Sequence, residues 1–107
     1  MTARKRWIAG QLRAKGDIVI DNGAVHALRQ RGVSLLAVGI LGVRGDFRRG
    51  DVVRCLDQNN EVIAQGLSNY GFAEVKAIKG LGSDAYSEAI GYAAEEEVVH
   101  CDNLVLI

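Results

Sequence analysis

The sequence predicts an α+β fold that is mainly β, a small mixed β-barrel of about six short strands with two or three short helices. Short β-prone runs are separated by glycine, and helical spacing is confined to brief segments. Proline is absent, so the 13 glycines must mark the turns. Strands and helices do not alternate regularly, which disfavours a doubly wound parallel sheet.

The first strand and the first helix are predicted between residues 16 and 32. In Gly16–Asp21 three β-formers follow the glycine without interruption, which is typical of a buried strand. Asp21 is a suitable N-cap for a helix over Asn22–Arg31, whose apolar residues share one face. Gly32 suits the left-handed position that follows a helix.

The middle of the chain predicts a bent strand and a hairpin. Ser34–Val43 is apolar but too rich in glycine for a stable helix, so we expect a strand with bends. Gly45–Gly50 has the composition of a turn. Asp51–Leu56 and Glu61–Leu67 are expected to pair around Asp57–Asn60, where Asn and Asp tolerate positive φ.

The last third predicts two short helices and a final strand. Apolar residues recur at helical spacing between residues 72 and 80, and again in 83–91, where Ser83 is the expected cap. Val98–Cys101 is predicted as the last strand, and Leu104–Ile107 is a further strand candidate.

The composition predicts one ordered domain over residues 1–107. Hydrophobic residues make up 49% and charged residues 24%, proportions that argue against disorder. We expect no membrane span and no secretory signal, hence a cytoplasmic location. Cys55 and Cys101 form no Cys-x-x-Cys pair, and we expect two buried thiols rather than a disulfide.

Charge is distributed unevenly along the chain. Residues 1–54 carry 11 Lys/Arg and 4 Asp/Glu, a net charge of +7, whereas residues 55–107 carry 2 and 9, a net charge of −7. The asymmetry indicates a polyanion or partner site on the basic half. The alternative is that the two halves interleave in the fold and their charges cancel locally.

No catalytic residue, metal site or cofactor site is predicted from the motifs. Gly80–Ala85 matches a dinucleotide-binding pattern but follows a helical segment instead of a strand. His100, Cys101 and Asp102 are consecutive, and on a strand they would point to opposite faces. Trp7 follows three basic residues, and we interpret it as a core residue rather than a stacking platform.

Six blocks of the sequence resemble the C-terminal region of the bacterial glutamate 5-kinase family, which is a PUA domain. The blocks are Lys5–Gly10, Gly16–Ala24, Ser34–Ile40, Gly45–Val52, Gly66–Tyr70 and Glu97–Leu106. The resemblance implies a PUA-like β-pseudobarrel that is a piece of a longer enzyme. The kinase domain, expected upstream, would bind ATP and magnesium and phosphorylate L-glutamate for proline biosynthesis, so this piece is expected to have neither activity nor cofactor.

The resemblance also implies a set of binding residues. In RNA-binding PUA domains the contacts come largely from the loop after the first helix and from the last strand, here near Val98–His100. The residues implied as an RNA- or partner-binding site are Arg29, Arg31, Gly32, Val33, Ser34 and Leu35, with Arg44, Arg48 and Arg49 as phosphate contacts. The glutamates at 95–97 stand close to that strand, and their charge would repel phosphate.

Two functions remain open at this point. The first is an interaction or regulatory module that packs on its own kinase domain or on other subunits of the enzyme. The second is an RNA-binding module that recognises structured RNA through the helix-to-strand loop. The acidic half of the chain suits a protein partner better than a polyanion, which favours the first.

Overall fold

A computed structural model describes residues 3–11, 13–30, 32–92 and 95–107 and confirms the α+β fold, with seven strands in mixed sheets and four short helices among them. The helices are α1 (Ala3–Arg6), α2 (Asn22–Leu28), α3 (Phe72–Ile78) and α4 (Tyr86–Ile90). The strands are β1 (Gly16–Ile20), β2 (Leu35–Leu36), β3 (Ile40–Gly45), β4 (Val52–Leu56), β5 (Val62–Leu67), β6 (Glu97–Val99) and β7 (Leu104–Leu106). A π-helical segment, Trp7–Gln11, follows α1.

Five strands form one sheet in the order β3-β1-β4-β5-β7, and β2 pairs with β6 in a separate ribbon. The β1–β4 pair is parallel and the other pairs are antiparallel. Alternate residues of the central strands, including Ile18, Ile20, Val53 and Cys55, are fully buried. One face of the large sheet therefore covers the core, and on the other face polar side chains such as Arg54 alternate with apolar ones such as Val52 and Leu56.

The predicted first strand and cap are confirmed, but the first helix is shorter than predicted. The Asp21 carboxylate accepts the Ala24 N–H at 2.7 Å, as an N-cap should. The helix ends at Leu28, because the Gln30 N–H bonds to the Ala27 carbonyl three residues back and tightens the last turn. Gly32 has the expected positive φ of 75°.

The apolar run Ser34–Val43 is not one bent strand. It divides into β2, a 3₁₀ turn (Ala37–Gly39) and β3. The two strands belong to different sheets. The turn is fixed from outside, since the Ala37 N–H donates to the Tyr86 hydroxyl at 3.1 Å. It also packs closely on α2, where a Cβ on Gly39 would lie 2.7 Å from that of Ala24.

The β4–β5 hairpin and the helix α3 are confirmed. In the hairpin turn Asn60 has φ 64°, and the Asp57 carboxylate accepts the N–H groups of Asn59 and Glu61. Gly80 follows α3 with φ 80°. These turns are built from residues within a few positions of one another, which is why sequence locates them well.

The end of the chain departs from the prediction in two details. Ser83 does not cap the next helix; its hydroxyl donates to the Glu96 carboxylate at 3.1 Å. Both predicted strands are present as β6 and β7, but Cys101 lies between them in a 3₁₀ turn, Cys101–Asn103. Gly91 ends α4 with φ 84°, as expected of a helix stop.

Two buried tyrosines fasten the acidic segment to the core. The Tyr70 hydroxyl donates to the Glu95 carbonyl and accepts the Glu95 N–H, and the Tyr86 hydroxyl donates to the Glu96 carbonyl at 2.9 Å. The two rings meet edge to face with centroids 6.0 Å apart. The Tyr86 hydroxyl also accepts the buried Ala37 N–H, a group that would be costly to leave without a partner.

Close packing at Gly66 predicts a large effect of one added methyl group. A Cβ there would lie 2.4 Å from Val99 Cγ1 and 2.8 Å from the Asn103 carbonyl oxygen, so Gly66→Ala must displace β6 or β7. We expect a loss of about 1–3 kcal/mol in the free energy of unfolding, measured by urea titration.

The matched control for Gly66 is Gly42→Ala, also in a strand. The nearest side-chain atom to its added Cβ is 4.0 Å away, and we expect a change below about 1 kcal/mol. Equal losses for the two variants would contradict the assignment of the effect to the contact with β6 and β7, since the lower entropy of the unfolded chain acts toward stability in both.

The two cysteines are both free, but they differ in burial. Cys55 is fully buried, and burial raises the pKa of its thiol from the ordinary 9.0 to about 12. Cys101 is only partly buried, contrary to the expectation of two buried thiols. Since the folded state holds the Cys55 proton more tightly, its stabilising contribution is complete below pH 9 and is lost as the pH rises toward 12.

This difference predicts selective alkylation. At pH 8 iodoacetamide should add once to the native chain, at Cys101, because Cys55 is inaccessible and protonated. In urea, mass spectrometry should show two added carbamidomethyl groups on the unchanged chain and one on the Cys101→Ser variant. Rapid modification of Cys55 in the native protein would contradict the burial described above.

Candidate functional site

The loop that joins α2 to β2 contains most of the predicted binding residues. Arg29 is exposed at the end of α2, and Gly32 is exposed with open space around its Cα. Arg31 lies outside the described residues. The exposed positions in this loop can therefore offer the Arg29 guanidinium and the bare backbone at Gly32 to a partner.

The rest of the loop is turned toward the core. Val33 and Ser34 are half-buried, and the Ser34 hydroxyl accepts the Cys101 N–H at 2.8 Å. Leu35 is buried and pairs with Val99 in the β2–β6 ribbon. Val98 and Val99 are fully buried as well, so these two side chains of β6 stabilise the fold and are not accessible to a ligand, whereas Glu97 is half-buried.

The predicted phosphate contacts are not gathered at this loop. Arg49 forms an ion pair at 2.9 Å with Glu95, which precedes β6. The loop residue Ser34 instead contacts Cys101, which follows β6, so the two contacts lie at opposite ends of this strand. Arg44 projects from the edge strand β3 and donates to the Asn60 side chain at 3.1 Å, and Arg48 is exposed in the connection from β3 to β4. The arginines and the loop therefore occupy different parts of the surface.

Of the described ion pairs, some join the basic half of the chain to the acidic half and others lie within one half. Arg49 and Glu95 join the basic half to the acidic half. Asp17, in contrast, contacts Arg54 at 2.8 Å and Arg44 at 4.0 Å, all within the basic half. Both sequence alternatives are thus partly realised: local cancellation near β6 and retained basic charge on the large sheet.

A groove between α2 and the β2 turn, here called the α2–β2 groove, has a volume of about 330 Å³. Its lining residues are predominantly small or apolar: Asp21, Gly23, Ala24, Ala27, Leu28, Val33, Ser34, Leu35, Leu36, Val38 and Gly39. Asp21 is the charged residue among them, and its carboxylate caps α2. No described basic side chain lines the groove, so its chemistry suits an apolar partner.

Leu36 and Val38 are functional candidates that the sequence did not reveal. They line the groove and remain 39% and 59% exposed, although both are large apolar residues. The run that contains them is apolar at nearly every position, so no alternation of apolar and polar residues marks the exposed ones. Exposure is set by the pairing of β2 with β6 and by the 3₁₀ turn that Tyr86 holds.

The expectation that His100, Cys101 and Asp102 point apart is wrong, because they lie in and beside a 3₁₀ turn. Their nitrogen, sulfur and oxygen atoms lie within 4.8 Å of one another. However, His100 Nδ1 accepts the Asp102 N–H at 3.0 Å and thereby caps the turn. A metal ion could use this nitrogen only by displacing that hydrogen bond, so the cluster stabilises the turn as it stands.

Trp7 is not the core residue that the sequence predicted. Its side chain is 52% exposed, and the fully buried residue of the segment is Ile8. The N-terminal segment is held by Ile8 in the core and by Arg4, which donates to the Asn103 side chain at 2.8 Å. An exposed indole beside basic residues leaves Trp7 available for contact with a partner.

None of the helices formed by the described residues has the length and apolar character that a bilayer crossing requires.

Among solved structures, the fold is similar to a PUA domain from Aeropyrum pernix K1 in a tartrate complex. The TM-score is 0.56 and the identity 28%, over 83% of this chain and 45% of that one.

Curated relatives match the whole chain. It is 49% identical over 106 residues to a glutamate 5-kinase of Hydrogenovibrio crunogenus and 50% identical over 107 residues to that of Pseudomonas entomophila. The chain spans 28% and 29% of the length of these relatives and corresponds to their C-terminal region. The PUA domain family model matches residues 16–89. Because that match covers well over half of the sequence, the chain belongs to the PUA domain family.

Proposed function

We propose that this domain is a non-catalytic interaction and regulatory module of a glutamate 5-kinase, and that it docks on the kinase domain through the α2–β2 groove. The apolar lining of the groove is the observation that carries the proposal. Leu36 and Val38 remain in water here, and covering them would remove apolar surface from solvent.

The lengths of the relatives support the kinase domain as the occupant. The chain corresponds to less than a third of the glutamate 5-kinases it matches, so each of these carries a further region in the same polypeptide. A tethered domain binds at a high effective concentration, which allows a small apolar groove to suffice. Other subunits of the same enzyme are the second source of such a partner.

The chemistry of the enzyme would belong to that other region. There, the kinase domain would bind ATP with magnesium and transfer the terminal phosphoryl group of ATP to the γ-carboxylate of L-glutamate, giving glutamyl 5-phosphate and ADP. The glycine segment Gly80–Ala85 does not fit a nucleotide site, because it follows helix α3 and its Ser83 hydroxyl is bonded to Glu96.

Regulation would act through the docking equilibrium. If the domain binds one state of the kinase more tightly than another, it shifts the population of those states by its difference in affinity. Proline inhibition and subunit assembly are the two properties through which such a shift would be seen.

Val38→Asp in the full-length enzyme should disrupt docking, because it places a charge in the apolar groove without touching the core. We expect the affinity of subunit assembly, measured by sedimentation velocity, to fall about tenfold or more, and proline inhibition to change with it. Ile107→Asp is the control, since Ile107 is 63% exposed and lies outside the groove. Unchanged assembly and inhibition in Val38→Asp would refute the proposal.

RNA binding is the second candidate, and the exposed Arg29 beside the open backbone of Gly32 favours it. If it holds, affinity for a structured RNA should fall steeply between low and high salt, since phosphate contacts release counterions. Arg29→Gln should weaken binding and reduce the salt slope by about one. Filter binding at two ionic strengths measures both, and absence of binding at low salt would remove this candidate.

A further inference from the structure

A second concavity, here called the outer cleft, lies on the face of the large sheet that points away from the core. Its volume is about 640 Å³. Four of its described lining residues are cationic, Arg13, Lys15, Arg44 and Arg54, and one, Asp17, is acidic. The lining therefore carries three more positive than negative charges, and Arg44 is the one of these cations that the sequence already assigned to binding.

A row of polar side chains crosses this face. Asp17 on β1 is opposite Arg44 on β3 and Arg54 on β4, and Arg54 is opposite Gln65 on β5. Ile18, the next residue after Asp17, is fully buried on the core side. Since alternate residues of a strand face opposite sides, the four polar side chains share the outer face and line the cleft.

Asp17 orients Arg54 through a single donor and leaves its terminal amino groups to other partners. Its carboxylate accepts the Nε–H of Arg54 at 2.8 Å, and this bond raises the pKa of Arg54, with Coulombic attraction adding to the effect. The terminal amino groups of Arg54 have no hydrogen-bond partner among the described residues. Arg44 lies 4.0 Å from the same carboxylate and is held by Asn60. Free N–H groups of arginine are suited to bidentate binding of an oxyanion.

The rim of the cleft is cationic and its wall is fixed. The side chains of Arg13 and Lys15 are exposed, and neither has an ion pair or hydrogen bond within the described part of the chain. Opposite them, the Gln65 amide donates to the carbonyls of Ile8 and Ala9, both at 3.3 Å. The N-terminal segment, which lines the cleft with Ala9 and Gly10, is thus attached to β5.

We propose that the outer cleft binds a small anionic ligand that carries two or more linked phosphate groups. Four cations and one carboxylate match a ligand with about three negative charges, and a cleft of this size exceeds a single phosphate. The site goes beyond the docking function, because none of its residues lines the α2–β2 groove. Either proposal can therefore fail without the other.

The test uses inorganic pyrophosphate as the probe, titrated calorimetrically into the 107-residue chain at constant ionic strength. Arg13→Gln with Lys15→Gln removes two unpaired rim charges and leaves the core intact. Arg29→Gln with Arg48→Gln is the matched control, because it removes two exposed cations outside the cleft. Thermal melting of all three proteins establishes that the variants are folded.

We expect the rim variant to weaken pyrophosphate binding about tenfold or more and the control to change it less than twofold. Orthophosphate should bind more weakly than pyrophosphate to the unchanged chain. Equal losses in the two double variants would show attraction by net charge alone and overturn the proposal. The proposal would also be overturned if pyrophosphate did not bind. The same holds if the rim variant weakened the binding of a structured RNA but not that of pyrophosphate.

Discussion

The attachment of the acidic segment by Tyr70 and Tyr86 is the constraint on which the rest of the structure depends. Their hydroxyls bind the backbone of Glu95 and Glu96, and Tyr86 also accepts the Ala37 N–H. One buried pair of rings thereby fixes where β6 begins and where the chain turns after β2. Each such bond contributes about 1 kcal/mol net, and loss of the Tyr86 hydroxyl would in addition leave the buried Ala37 N–H unsatisfied.

This attachment determines where the acidic charge lies. Because the backbone at 95–96 faces the tyrosines, the glutamate side chains face outward, where Glu95 meets Arg49 and Glu96 meets Ser83. An exposed pair such as Arg49–Glu95 stabilises the fold by about 0–1 kcal/mol at most, but it neutralises both groups locally. Glu95 and Glu96 thus have partners at their own end of β6, and neither is among the described residues that line the α2–β2 groove or the outer cleft.

The sequence predicted best those features whose causes lie within a few residues. The Asp21 cap, the Asn60 turn and the glycine helix stops each depend on local backbone chemistry, and all are present. Prediction failed where a distant residue decides the outcome. The division of Ser34–Val43 depends on a hydrogen bond across 49 positions, and the exposure of Val38 follows from that division. The resemblance pointed to the loop beside the groove, but the apolar character of the groove required the structure.

The two proposed surfaces are connected by β1. Asp17 faces the outer cleft from this strand, and four residues later Asp21 caps the helix that forms one wall of the groove. β1 is paired on both edges, with β3 and β4, and its inward residues are fully buried, so it does not bend independently of the sheet. An event at the cleft can therefore reach the groove only as a displacement of the whole sheet edge, which packed strands resist. The geometry consequently favours two surfaces that act side by side, with the fold holding each in place.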